Sequence, residues 1–123
     1  MRTLAVVAVL SVVGVATVQA QRATEQFIPV GQSPGVSGVR SYLGECESID
    51  EQSQTVTLRD AQGQGRTMKV GPATRIWLDR SAAKRGNKSG TFQDLRRGHR
   101  MEILPAPDRL DTAEWIKIVV EGG

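Results

Sequence analysis

The sequence is poor in the residues that build most catalytic and metal sites. Its 123 residues include one cysteine and one histidine, and only 4% are aromatic. A single cysteine excludes an intrachain disulfide framework, and a single histidine excludes a site that needs two imidazoles. So few aromatic side chains leave little to stack on nucleic-acid bases, which disfavours nucleic acid as a partner.

The chain also lacks a strong excess of charge. Lys and Arg number 16 against 13 Asp and Glu, and charged residues make up 24% of the sequence. That share is close to the average of about 25% for globular proteins, which argues against wholesale disorder and against a multi-pass membrane protein. The length predicts one globular domain.

Residues 1–20 are predicted to be a secretory signal peptide. Arg2 supplies a positive start, Leu4 to Val18 is apolar and uncharged, and Ala20 is a small residue at the cleavage position. A transmembrane anchor is the weaker alternative, because this stretch is shorter than the about 20 residues that a spanning helix needs. Cys46 lies too far downstream to accept a lipid. We therefore predict an exported protein, periplasmic or extracellular, without a transmembrane anchor after cleavage.

Residues 21–40 are predicted to form an irregular N-terminal arm. Prolines and glycines are spaced too closely there for a long helix or strand. Within the arm, residues Phe27 to Val30 form an apolar patch. We expect this patch to pack against the domain, with a docking segment for a partner as the alternative.

Residues 41–121 show the period-two alternation that is typical of β-strands. The predicted strands are Tyr42 to Ile49, Thr55 to Asp60, Arg66 to Val70, Thr74 to Leu78, Arg100 to Leu104 and Ala113 to Val120. Asp79 to Gly90 and Pro105 to Asp111 are predicted to be loops, and Thr91 to Leu95 a short helical turn. The predicted fold is all-β, a small OB-like antiparallel β-barrel of five or six strands with one short helical turn.

Several motifs resemble a family of small exported bacterial domains of unknown function. They are Gly44-x-Cys46-x-x-Ile49-Asp50, Thr55-Val56-Thr57-Leu58, Thr74-x-Ile76, Asp94-Leu95-x-x-Gly98-x-x-Met101-x-Ile103 and Ala113-x-x-Ile116-x-Ile118. The resemblance spans Tyr42 to Val120 and implies an OB-like barrel and export. These motifs consist of turn and core positions, so the resemblance implies no active site.

Nothing in the sequence marks an enzyme. The single imidazole, His99, lies between Arg97 and Arg100, and no motif supplies a nucleophile or an orienting group for it. Residues 62–65 contain two glycines but lack the Lys-Ser/Thr of a phosphate-binding loop. We therefore predict no catalytic residues and no cofactor, and rank an enzyme of unknown type as the third choice.

Cys46 is predicted to be a buried, unreactive thiol. Free cysteine is among the most buried residue types. Glu45 and Glu47 flank it, and a reactive thiol needs electropositive neighbours instead. The alternative is a reactive or intermolecular cysteine.

The main candidate site is a basic segment. Residues 75–100 contain eight basic side chains against two acidic ones. The predicted binding residues are Arg80, Lys84, Arg85, Lys88, Arg96, Arg97 and Arg100. They suit an anionic partner, either an envelope protein or an anionic polymer. The simpler interpretation is a solvated loop without a binding role, because residues close in sequence need not form one contiguous surface patch.

A copper-binding barrel is the alternative function. Small periplasmic copper chaperones have an OB-like barrel and bind the metal through His and Met near a Trp, and soft thioethers select Cu(I). The candidate ligands are His99, Met101 and Met68, with Trp77 available. The Trp-Pro-x-Met-x-Met segment of those chaperones is missing, and the strand alternation favours core positions for both methionines.

Overall fold

The computed structural model describes residues 24–120, in which seven β-strands are the main regular elements. They are β1 (Tyr42–Asp50), β2 (Thr55–Arg59), β3 (Gly65–Lys69), β4 (Arg75–Asp79), β5 (Lys88–Ser89), β6 (Arg100–Ala106) and β7 (Arg109–Val119). Two 3-10 turns, Ser81–Ala83 and Phe92–Asp94, flank β5. No helix in this part of the chain is long and apolar enough to cross a membrane. The predicted signal peptide lies outside the described residues.

Five strands close into a barrel. β1 pairs with β2 and β6, β2 with β3, and β6 with β7, all antiparallel, and β3 closes the barrel by a parallel contact with β7. β4 and β5 extend the sheet beyond the barrel. The predicted all-β barrel is confirmed. Its pairing is mixed, however, because β3 and β4 both run parallel to β7 where we expected antiparallel neighbours.

The parallel pairings follow from how the chain crosses between β3 and β4. β7 is 11 residues long, and one edge of it contacts β3 at Thr112 and then β4 from Trp115 onward. At the crossover, the Thr74 hydroxyl donates to the Ala113 carbonyl (2.6 Å) and accepts from the Gly71 N–H (2.9 Å). Because this short connection does not reverse the chain, β3 and β4 follow β7 in the same direction.

The predicted loop from Pro105 to Asp111 is shorter than expected. β6 extends to Ala106 and pairs there with Arg109, which leaves a turn of two residues, 107–108. The register shifts on both sides of Pro105. Such an irregularity accommodates proline, which has no N–H to donate to a sheet. The predicted helical turn at Thr91 to Leu95 is confirmed as a 3-10 turn, and a second 3-10 turn, Ser81–Ala83, lies in the predicted loop before it.

The interior of the barrel is an apolar core of strand residues. Alternation directs Met101 and Ile103 of β6, and Ile116 and Ile118 of β7, to the same interior, where all four are fully buried. The rest of the cluster is Cys46, Val56, Leu58, Met68, Ile76, Leu95 and Ala113. At about 25 cal/mol per Å² of apolar surface removed from water, this cluster is the main source of stability.

A second layer covers the opposite face of β4, β6 and β7. Val36 of the arm packs with Trp77, Leu104 and Trp115 as a separate buried cluster. Residues 24–41 therefore pack on the outside of the barrel, although they contain no strand. The expected packing of the apolar patch is confirmed for Val30, which is buried, but Phe27 is 66% exposed.

Buried carboxylates hold the arm to this outer face. Glu102 of β6 is fully buried and accepts hydrogen bonds from the Gly31 N–H (2.9 Å), the Ser37 hydroxyl (2.7 Å) and the Ser41 hydroxyl (2.6 Å). Asp79 accepts from the Val30 N–H at 2.9 Å. Asp79 was expected in an exposed loop, and that prediction is wrong because the arm covers the end of β4.

Lys117 of β7 forms a buried ion pair with the arm. Its Nζ lies 2.7 Å from Glu25 Oε1, and the Lys117 side chain is 0% exposed. The Ser33 hydroxyl donates to Glu25 Oε2 (2.9 Å), and the ammonium group lies 4.5 Å from the centre of the Trp115 ring. Every charged atom of the pair therefore has a compensating partner, as burial of an ion pair requires.

We expect Glu25→Ala to destabilise the protein strongly, because it leaves the Lys117 ammonium buried without a counter-charge. Removing one partner of such a pair costs about 3–5 kcal/mol. The double variant Glu25→Gln with Lys117→Met is expected to recover most of that loss. Urea unfolding of the single and double variants tests this, and equal stabilities for Glu25→Ala and the wild type would contradict it.

Candidate functional site

The seven basic residues of the predicted site lie on exposed or half-buried positions. They are Arg80, Lys84, Arg85, Lys88, Arg96, Arg97 and Arg100. None of the seven forms an ion pair within the part of the chain that the structure describes. Two of the seven do have acidic neighbours, since Arg97 lines a shallow pocket with Glu45 and Glu47, and Arg100 is opposite Glu45 in the pairing of β1 with β6.

The seven residues form two groups, one in the segment that follows β4 and one at or just before the start of β6. Both groups lie beside the end of β7. Asp79, the last residue of β4, is opposite Val119, so the loop that follows β4 begins there. On the other side, His99 Nδ1 lies 2.7 Å from the Val119 carbonyl oxygen, which places the start of β6 beside the same residue. We call the seven residues the basic end of the barrel.

Two arginines of the basic end also stabilise the backbone. The Arg80 Nε donates to the Gly86 carbonyl (2.8 Å), and Arg96 donates to the carbonyl of Gln93 (2.5 Å). These bonds hold the loop before β5 and the 3-10 turn after it. The basic end is therefore made of short segments with defined backbone contacts.

Arg75 does not belong to the basic end. Strand register places it opposite Trp115, whereas Asp79 is opposite Val119. At about 3.3 Å per residue, the two ends of β4 are roughly 13 Å apart. The basic segment that is continuous in sequence is thus divided between the two ends of one strand.

The candidate copper ligands are separated by burial. Met68 and Met101 are both core residues of the barrel, with 4% and 0% exposure. His99 is half-buried, and its Nδ1 contacts a carbonyl oxygen. Among residues 24–120, no three His, Cys, Asp or Glu side chains are grouped as a metal-ion site. The three candidate ligands are therefore not presented together at the surface of the described residues, and copper binding stays a prediction.

Cys46 is buried in the core, as predicted. It is 2% exposed, and burial raises the pKa of its thiol to about 11, while the positive charge of Arg97 partly offsets that effect. The main cause of the raised pKa is thus desolvation by burial. A thiol with this pKa is almost entirely protonated near neutral pH.

The structure also contains a groove that the sequence analysis missed. It has a volume of about 920 Å³ and lies between the arm, the turn before β4 and the hairpin of β6 and β7. Trp77 and Trp115 line it, with ring centroids 5.8 Å apart. The groove arginines, as we call them, are Arg40, Arg75 and Arg109. The sequence of β7 does contain one indication of this second buried face. Its apolar residues at consecutive positions are typical of a strand that is buried on both sides.

Comparison with known proteins identifies no family. No family model matches the chain, and no curated protein matches it. Among solved structures, the chain is similar to a Cu(II)-bound variant of CusF from Escherichia coli. The two share 15% sequence identity with a TM-score of 0.40, over 63% of this chain and 88% of that one. A similarity this low supports no inference about what this protein binds.

We expect native Cys46 to react slowly with a thiol reagent at pH 8, and quickly once the protein is unfolded in urea. Burial both blocks access and keeps the thiol protonated, so the native rate should continue to rise toward pH 11, whereas the unfolded rate levels off near pH 9. Stopped-flow labelling measures both rates. Fast labelling of the native protein would contradict the burial of this thiol.

Proposed function

We propose that this protein is an exported, non-catalytic binding module of the bacterial cell envelope that binds an anionic polymer through its basic end. The observation that supports this proposal is the unpaired state of seven basic side chains beside the end of β7, within the residues described. Unpaired surface charge of one sign attracts polyanions and raises their local concentration.

A polymer fits this arrangement better than a single small anion. The seven charges are spread over two segments, one after β4 and one before β6, instead of surrounding one enclosed cavity. A repeating anion satisfies several such charges at once, and each further contact becomes effectively intramolecular. An acidic protein is the other partner with this chemistry, and the experiment below separates the two.

Export and family membership belong to the same proposal. The signal-like segment before Gln21 supports export, and the turn and core positions shared with small exported OB-like domains support membership of that family. We expect full-length protein produced in a bacterial host to be recovered from the periplasm with Gln21 at or near its N-terminus. Terminal sequencing checks this, and an intact Met1 in the cytoplasm would contradict export.

Binding of inorganic polyphosphate tests the basic end. We expect the protein to bind it in low salt and to lose affinity steeply as salt is raised, because exposed charges are screened within about 10 Å at 0.1 M salt. Replacing Lys84, Arg85 and Lys88 by Glu should weaken binding roughly tenfold or more. Fluorescence anisotropy of labelled polyphosphate measures the affinity.

The matched control replaces Arg40, Arg75 and Arg109 by Glu, which changes the net charge equally but leaves the basic end intact. Equal weakening by both variants would mean that only net charge matters, and the proposal would be wrong. Tighter binding of polyglutamate than of polyphosphate, if it is lost when Lys84, Arg85 and Lys88 are replaced, would favour an acidic protein over a phosphate-bearing polymer at the basic end. Thermal unfolding of both variants verifies that they fold.

A further inference from the structure

We propose that the groove over Trp77 and Trp115 is a second binding site, which takes an acidic, extended segment of a partner protein. This site lies away from the basic end and does not depend on it. Its volume of about 920 Å³ is near the upper limit of the roughly 300–1,000 Å³ that is usual for ligand pockets.

Part of the groove is lined by rigid aromatic and proline residues. Trp77 and Trp115 are both more than nine-tenths buried, so packing fixes their rings. Three prolines, Pro72, Pro105 and Pro107, also line the groove. Pre-ordered aromatic and proline surfaces lose little conformational entropy on binding, and Trp is enriched among residues that dominate the energy of protein interfaces.

The charges of the groove favour an anionic occupant. The groove arginines are exposed, and their side chains form no ion pair or hydrogen bond among residues 24–120. Three carboxylates also line the groove: Glu25 is engaged by Lys117, Glu114 interacts with another group, and Asp108 is exposed next to Arg109 in sequence, so the arginines outnumber the one carboxylate left. Three guanidinium groups are therefore available, and guanidinium is the side chain best suited to bind a carboxylate in a bidentate manner.

The occupant that we infer is a protein rather than a small molecule. The exposed large hydrophobic residues among those described are Phe27, Val39 and Leu110, at 66%, 78% and 73% exposure. Each is adjacent in sequence to a groove residue, namely Gln26, Arg40 and Arg109. We infer that these three side chains extend the contact beyond the groove itself, over an area that a small ligand would not cover, and the Val39 and Leu110 variant described below tests this.

A fluorescence titration tests this site directly, because the two tryptophans of the chain both line the groove. The probe is a blocked hexapeptide of alternating glutamate and leucine. We expect it to change the tryptophan emission in a saturable way, whereas the corresponding lysine and leucine peptide should not. Replacing the three groove arginines by Glu should weaken binding roughly tenfold or more.

Two further variants separate the explanations. The basic-end triple variant, Lys84, Arg85 and Lys88 to Glu, should bind the peptide like the wild type, since it changes net charge equally at the other site. Replacing Val39 and Leu110 by Ser removes apolar rim contacts without changing charge and should weaken binding several-fold.

Three results would overturn the proposal: equal weakening by both charge variants, no saturable binding of the acidic peptide at millimolar concentration, or equally tight binding of benzoate, which would mark a small-carboxylate site. Sedimentation that shows a dimer broken by the groove variant would instead assign the groove to a second copy of this chain. Circular dichroism of each variant verifies its fold.

Discussion

Burial of β7 on both faces is the constraint on which the rest of the structure depends. One face contributes Ile116 and Ile118 to the barrel core, and the other contributes Trp115 and Lys117 to the layer beneath the arm. One edge pairs with β6, while the other pairs first with β3 and then with β4. Closure of the barrel, attachment of β4 and docking of the arm all require this strand.

Polar contacts determine where the arm docks. Apolar contacts between Val36 and the tryptophans provide attraction without a unique position, since they are not directional. Glu102 and the Lys117–Glu25 pair are buried, so each demands specific donors and acceptors at fixed distances. We interpret these groups as the reason why the arm docks in one position. Any other position would leave a buried polar group without a partner, which costs free energy.

The arm in turn creates the groove. Glu25, Val36 and Arg40 form one side of it, and the turn before β4 and the β6–β7 hairpin form the others. The basic end lies at the opposite end of β4, where Arg80 and Arg96 hold its loops and Asn87 also donates to the Ile28 carbonyl of the arm at 3.0 Å. The molecule therefore separates its cationic surface into two regions with different surroundings, one polar and exposed and the other aromatic and concave.

The sequence by itself determined the class of fold and most of its elements. Alternating residues located the barrel strands and predicted that Met68 and Met101 are buried, and the usual burial of free cysteine predicted the same for Cys46. These features depend on period-two alternation and on local residue types, which can be recognised within a short segment of sequence. The tertiary structure alone decided that β3 and β4 run parallel to β7, that Arg75 lies apart from the other basic residues, and that Asp79, Glu102 and Lys117 are buried. The physical reason is that each of these outcomes depends on a contact between residues far apart in the chain, and local periodicity contains no information about which distant segment will cover a strand.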